Sequence, residues 1–298
     1  MSTDRDDWED FGFRRASHWI EDPEEDCILQ FDDPNVSWRL GPILKERVRH
    51  GDEYAGVKIS EAAGTCIATQ IEGPQKGMKA IAKIRMQIPP GMDDPSEYDP
   101  DIDYSIYKSD YRSIWATCES EMLKYLTEKG SKCTPRFIGL EVRDQTDRDY
   151  VPGGYVQYLL MEKLPGTNLL DWCEFDLQTR NRVRLAFAKA IREFYSYGLV
   201  HNDPQRNNII WDENTDRCWI IDMEDAIYAD KPRKFKPRLD WTEWAIARAN
   251  DRERNIDPML PDEYDEYSDD DAIAALATRT KTRQMCEGLS DFRASRAS

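Results

Sequence analysis

The sequence has no C-x-x-C pair, and its seven cysteines are scattered at Cys27, Cys66, Cys118, Cys133, Cys173, Cys218 and Cys286. An odd, unpaired set argues against a disulfide framework or a cysteine-ligated zinc site and fits reduced thiols in the cytosol or nucleus. No apolar run approaches the roughly 18 residues that a membrane span needs. The start, MSTDRDDWEDFGFRR, is acidic and has no apolar core, unlike a secretory signal. Positive charge is scarce: 41 Lys and Arg stand against 58 Asp and Glu, a formal net charge of -17. A surface of that sign repels nucleic-acid backbones and anionic lipid, so neither nucleic acid nor membrane is an expected partner. No unit of about 20–50 residues recurs, which excludes a solenoid. The expectation is a soluble cytoplasmic protein, with the nucleus as the alternative.

What is present is enough for a core. The 298 residues, 40% of them hydrophobic, allow one large domain or two lobes. Residues 1–38 read as an irregular acidic extension whose Trp8, Phe11, Trp19 and Ile20 pack on the body. YAGVKI, TCIATQI and MKAIAKIRMQI, between Tyr54 and Ile88, read as strands. They are separated at EAAG and EGPQKG, which read as hairpin turns of an antiparallel sheet. Residues 89–104, rich in Pro, Asp and Gly, read as a loop. Tyr111 to Lys129 places Ile114, Cys118, Met122 or Leu123, and Leu126 on one helical face, ended near Gly130. Tyr155 to Leu164 reads as a strand running out to Pro165 and Gly166. Arg180 to Gly198 places Val183, Phe187, Ala190 or Ile191, and Phe194 at helical spacing, with Gly198 as the stop.

The densest polar stretch is LVHNDPQRNNIIWDENTDRCWIIDMEDA, Leu199 to Ala226. NIIW and CWII read as two short strands around the turn DENTDR. Such a hairpin puts Asn208, before the first strand, and Asp222, after the second, at the same end. Both offer hard oxygen donors of the kind Mg²⁺ accepts, and Mg²⁺ usually takes only one or two protein ligands plus phosphate oxygens. Asp203 lies five residues before Asn208. As a second carboxylate beside that amide and carboxylate, it could orient a hydroxyl for attack and take its proton.

LVHNDPQRNNII…WIIDMEDA resembles the catalytic and metal-binding loops of the protein-kinase-like superfamily. The likeness is closer to its aminoglycoside-phosphotransferase and fungal kinase-like branch, with H-x-D-x-x-x-x-N followed by I-D-x-E-x-A. The resemblance implies an α+β, bilobal protein-kinase-like fold, with an N-terminal antiparallel sheet plus one helix and a mainly helical C-terminal lobe. On that layout residues 39–161 form the N-lobe, 162–258 the C-lobe and 259–298 an acidic tail. The resemblance also implies ATP and Mg²⁺ as cofactors, Asp203 as catalytic base, Asn208 and Asp222 as Mg²⁺ ligands, and His201 as the residue that organises the loop. Upstream it requires a strand lysine to hold the ATP phosphates and a helix glutamate to position it. Lys83 in MKAIAKI resembles the family's V-A-I-K; the alternative is a surface lysine on an edge strand. Glu119, with Leu123 and Leu126 at offsets of four and seven, matches E-x-x-x-L-x-x-L, and Glu121 is its competitor. By the same analogy Glu162 and Leu164 would offer backbone groups to adenine, with Met161 just before them.

The sequence departs from the family in three places. G-x-G-x-x-G is absent; SEAAGTC (Ser60 to Cys66) stands in its place, with Gly64 as its one glycine. Asp222 is followed by Met-Glu-Asp rather than by D-F-G, and no A-P-E precedes Trp241. The chain that remains ends in acidic and polar residues, so a reduced peptide-docking subdomain is expected. The expected activity is Mg²⁺-dependent transfer of the γ-phosphoryl of ATP to a hydroxyl of an unidentified small molecule or protein. The alternatives are a pseudokinase scaffold and transfer of AMP. Asp230 to Arg238 carries five basic residues, which either bind an anion or pair with the protein's own acids. That segment and the acidic run Pro261 to Asp271 are the two candidate sites for a protein partner, the second otherwise being a solvated linker. DDAIAALATRTKTRQM could form a short terminal helix.

Overall fold

The computed structural model describes residues 17–24, 27–31, 33–51 and 59–247. It is a mixed α+β structure built on a curled, antiparallel six-stranded sheet with few helices. The chain divides into two compact units. The first takes the residues up to Lys124 and then Arg136–Lys163; the second takes Tyr125–Pro135 and the chain from Leu164 onward.

The first unit carries the large sheet, in the order β1 (Ile28–Gln30), β2 (Ser37–Arg49), β3 (Ser60–Glu72), β4 (Lys79–Ile88), β6 (Tyr155–Glu162), β5 (Phe137–Asp144). Alternation along each strand sorts the side chains onto two faces. Ala62 and Cys66 of β3, Ala80, Ala82 and Ile84 of β4, and Leu160 of β6 face one way. They pack with Trp19, Ile20, Leu29 and Trp38. Ile81 of β4 and Leu159 and Met161 of β6 face the other way and meet Leu123 of helix α1 (Ile114–Glu128). The opening segment is pinned by a buried carboxylate: Glu46 accepts hydrogen bonds from Ser17 Oγ at 2.8 Å and from the Trp19 N–H at 2.7 Å.

Several expectations are corrected here. Within the expected irregular extension, Ile28–Gln30 form strand β1, which pairs with Ser37–Arg39 at the start of β2. Of the N-terminal apolar residues expected to pack on the body, Trp19 and Ile20 are buried; Trp8 and Phe11 lie outside the described residues. EAAG is not a turn. Glu61 to Gly64 lie inside β3, paired with β2 on one side and β4 on the other. Ala and Gly are weak strand formers, but two flanking strands and close packing override that preference. A Cβ on Gly64 would sit 3.0 Å from Ile20 Cδ1, so the glycine makes room for the core. Strand β5, over Phe137–Asp144, has no counterpart in the sequence reading. In α1 the inward face is Ala116, Glu119, Ser120 and Leu123, whereas Ile114 is 64% exposed. The loop at 89–104 holds a 3-10 turn at Pro95–Glu97, and a second begins at Tyr104.

The second unit contains helix α2 (Leu177–Ser196), the three-stranded sheet β10-β9-β7 and the pair β11-β8. Asp176 caps α2 by accepting the Thr179 N–H at 2.7 Å, and Gly198 ends it at a positive φ of 75°. The buried face of α2 includes Val183, Phe187, Ile191 and Phe194, as its spacing predicts. The short helix α3 (Pro237–Glu243) and the residues after it bury Trp241 and Trp244. The expected acidic run at 261–271 and terminal helix fall outside the described residues.

Gly166 is the most tightly enclosed glycine among the described residues of this unit. It has φ of 89°, and a Cβ there would collide with the Trp211 carbonyl oxygen of β9. Gly166→Ala should therefore destabilise the protein by about 2 kcal/mol or more, read as a shift in the urea midpoint. An unchanged midpoint would show that the chain has room the packing denies it.

Candidate functional site

The first group of candidate residues lies in the first unit. Strand β4 is central, between β3 and β6, so Lys83 is not an edge-strand lysine. Its ammonium pairs with Glu119 Oε1 of α1, and the Glu119 side chain is almost wholly buried. Glu121 is exposed, which selects Glu119 between the two. Two further residues belong to the same cluster. Arg85, two positions on and on the same face as Lys83, donates from Nη2 to Glu119 Oε2 at 2.8 Å and from Nη1 to Glu61 Oε1. Glu61 Oε2 accepts from Ser113 Oγ and from the Tyr155 hydroxyl, each at 2.6 Å. Ser113 Oγ in turn accepts the Ala116 N–H at 3.0 Å and caps the start of α1.

Two cations and two anions thus alternate, Glu61–Arg85–Glu119–Lys83, and their charges cancel. That balance is what makes burial tolerable. Burial pushes the Tyr155 phenol well above its ordinary value, with the Glu61 charge and hydrogen bond adding to it, so Tyr155 stays a neutral donor. Sequence reasoning missed Glu61 and Arg85. Arg85 carries a usable signal, a second basic residue at i+2 facing the same way as Lys83.

The remaining candidates of this unit are less informative. Gly64 lies within β3, where neighbouring strands occupy both edges, so Ser60–Cys66 forms no glycine loop that could cradle a phosphate. The connection between β2 and β3 falls instead at 50–59, of which 52–58 lie outside the described residues. Met161 is buried at the end of β6, in the core rather than in solvent. Glu162 ends the strand, and its N–H donates to the Arg136 carbonyl at 2.9 Å, so that N–H is already engaged. Leu164 opens the second stretch of the second unit and is buried.

The second group lies in the second unit. Strands β9 (Ile209–Asp212) and β10 (Arg217–Ile220) pair in the expected hairpin, with Ile209 opposite Ile220. Asp212 holds its turn: its carboxylate accepts the Asn214 N–H at 3.1 Å and the Thr215 hydroxyl at 2.6 Å. One residue beyond the register, the Ile221 N–H donates to the Asn208 carbonyl at 3.0 Å. Asn208 and the residue before Asp222 are thereby locked side by side. Asn208 Nδ2 donates to the Asp203 carbonyl at 3.1 Å and to Asp203 Oδ2 at 3.3 Å. Gln205 Nε2 donates to Asp203 Oδ1 at 2.5 Å. Since the amide nitrogen of Asn208 is turned to Asp203, its oxygen is turned the other way. Asp222 itself adopts the left-handed conformation, φ 67° and ψ 62°, which is uncommon outside glycine and concentrates at functional sites. Oxygens of Asp222 and the buried Glu224 lie within 4.8 Å of one another. Glu224 is therefore a further oxygen donor near Asp222, and it occupies the E of I-D-x-E-x-A.

His201 closes β8 (Leu199–His201), which pairs with β11 (Ala226–Tyr228) so that Ala226 stands opposite His201. The imidazole is buried and rests against Trp244, ring centroids 5.2 Å apart. Its Nδ1 accepts the Asp203 N–H at 3.2 Å, and its Nε2 lies 3.1 Å from the Ile221 carbonyl. An acceptor at one nitrogen and a donor at the other select the neutral tautomer with hydrogen on Nε2. One ring thus ties the chain before Asp222 to the backbone of Asp203.

Of the basic segment, Arg233 pairs with the protein's own acids, Asp240 at 2.9 Å and Glu243. Lys231, Lys234 and Lys236 are exposed. No family model matches this sequence, and no curated protein matches it.

At pH 8 the ring ¹⁵N shifts of His201 should report hydrogen on Nε2. Hydrogen on Nδ1 would contradict both bonds that tie Asp203 and Ile221 together.

Proposed function

We propose that this protein is a kinase-like phosphotransferase that moves the γ-phosphoryl of ATP, with Mg²⁺, to a hydroxyl of a small molecule or protein. The observation that carries the reading is the tying of Asp203, Asn208 and the approach to Asp222 into one rigid loop by His201 and the β9–β10 hairpin. The paired Lys83 and Glu119 support it from the first unit. On this reading the fold is of the bilobal protein-kinase-like kind.

The donor set suits a hard cation: the Asn208 amide oxygen and the Asp222 carboxylate are the ligands, and both are oxygens. Bound Mg²⁺ would neutralise charge on the β- and γ-phosphates. Lys83 would hold phosphate oxygens through its ammonium, and Glu119 fixes that ammonium's direction. Asp203 would accept the acceptor's hydroxyl proton as the oxygen attacks the γ-phosphorus. The bond from phosphorus to the bridging oxygen breaks, and ADP leaves with the electron pair. Asp203 suits this role because both its oxygens act as acceptors, from Gln205 and Asn208, and each carboxylate oxygen has a lone pair to spare. The work is positioning and charge neutralisation, with no covalent intermediate on the protein.

One observation favours a second reading, a nucleotide-binding module without useful turnover: Ser60–Cys66, the region that would have replaced the glycine loop, is strand. Two variants decide between the readings. Asp203→Asn should leave Mg²⁺-ATP binding intact in calorimetry while turnover falls by on the order of 10²–10⁴. Asp222→Ala should remove the Mg²⁺-dependent part of binding. Turnover in Asp203→Asn equal to that of the native protein would overturn the role given to Asp203, and a native protein that binds Mg²⁺-ATP but never turns it over would establish the second reading.

The two groups should also act as one unit on turnover. Lys83→Ala combined with Asp222→Ala should cost far less than the product of the single losses, because either alone already disables phosphoryl transfer. Losses that multiply would show that the two groups work independently.

A further inference from the structure

The buried chain of charges in the first unit has a feature that the pairing of Lys83 with Glu119 does not by itself require. An arginine beside a carboxylate prefers a two-pronged grip, with two parallel N–H···O bonds, over a single bond. Arg85 does not take that grip on Glu119. Nη1 goes to Glu61 Oε1, and only Nη2 reaches Glu119, at Oε2. Oε1 of Glu119 accepts from the Lys83 ammonium.

We propose that Glu61 is a positioning residue for Lys83: by balancing the charge of Arg85, it leaves Glu119 to balance Lys83 and so keeps Lys83 on the helix glutamate. Glu61 is itself held without freedom to move. It is fully buried near the start of β3, between β2 and β4. Its second oxygen is fixed by Ser113 Oγ and the Tyr155 hydroxyl, each at 2.6 Å. Ser113 also caps α1, so the start of the helix that carries Glu119 is tied to the same carboxylate. Strand β3, strand β4 and helix α1 therefore share one point, and the direction of the Lys83 side chain follows from it. The inference deepens the phosphotransferase reading, because the ammonium so directed is the one proposed there to hold phosphate. The geometry of the relay stands whether or not ATP is the ligand.

The test reads Lys83 directly. The full-length protein is treated with limiting N-acetoxysuccinimide, and acetylation of Lys83 is followed by mass spectrometry, with exposed Lys79 on the same strand as internal standard. An amine held as an ammonium by a carboxylate reacts slowly, and release speeds it. In Glu61→Gln one buried carboxylate, Glu119, faces two cations; Lys83, the more exposed of them, is released, and its rate relative to Lys79 should rise roughly tenfold. In the charge-neutral double variant Glu61→Gln with Arg85→Met no competitor remains, and the rate should return to the native value. Glu61→Asp keeps the charge but retracts it, and should give an intermediate rate, which reads the same effect if Glu61→Gln does not fold. A native Lys83 rate in either folded single variant, or a double variant as reactive as Glu61→Gln, would overturn the proposal; a purely structural role for Glu61 lowers the melting temperature without this pattern of loss and return. Protection of native Lys83 by Mg²⁺-ATP is scored separately. Its absence would count against the phosphotransferase reading alone and leave the relay standing.

Discussion

A charge taken out of water must be met by an opposite charge, and in the first unit that constraint decides how three elements join. Glu61 on β3, Arg85 on β4 and Glu119 on α1 are all buried. None is tolerable alone, since removing one partner from a buried pair typically costs about 3–5 kcal/mol. Each therefore demands the next, and the last anion in the series demands Lys83. The side chain of Lys83 is the least buried of the four, 18% exposed against 2% or less for the others. The chain of charges begins in the core and ends in the one cation that retains access to solvent. Apolar packing of Leu123 against Leu159 and Met161 supplies the adhesion of α1 to the sheet, while the charges supply its register.

The second unit solves a different problem, that of holding the polar groups of Asp203, Asn208 and the approach to Asp222 still. The β9–β10 hairpin fixes Asn208 beside Ile221 through a backbone bond, and the turn at its far end is held by Asp212. Hydrogen bonds to Asp212 keep its carboxyl below the usual range, first through Thr215, so its carboxylate remains the acceptor that turn needs. His201 then joins the chain on either side of the hairpin. With the ring's two nitrogens and the amide of Asn208 all engaged, the orientation of Asp203 is set by neighbours rather than by its own rotamer preference. The left-handed backbone of Asp222 is the strained member of this arrangement, and strain of that kind persists only where the surroundings hold it.

The features legible from sequence were those with a local period or a short-range geometric consequence. The hairpin that carries Asn208 and Asp222 follows from two apolar runs and the turn between them, and the buried face of α2 from its spacing. Lys83 and Glu119 were assigned as candidates from resemblance, and the structure places them in contact. What escaped was set by non-local partners. Glu-Ala-Ala-Gly looks like a turn because its residues are poor strand formers. It is strand because β2 and β4 flank it and because Ile20 needs the space at Gly64. Arg85 could be placed on the face of Lys83 by alternation, but its partner Glu61 lies 24 residues earlier on another strand. Ile114 matches the helical spacing yet is exposed, because it is the first residue of α1 and lies before the turn that meets the sheet.

The central claim is that these residues serve transfer of a phosphoryl group from ATP. The most direct measurement is ³¹P NMR of the native protein with Mg²⁺, ATP and a mixture of hydroxyl compounds, followed to completion. The account predicts loss of the ATP γ resonance, growth of ADP and a new phosphomonoester signal that depends on the acceptor. Release of pyrophosphate with an AMP ester, or an ATP spectrum that never changes, would contradict it.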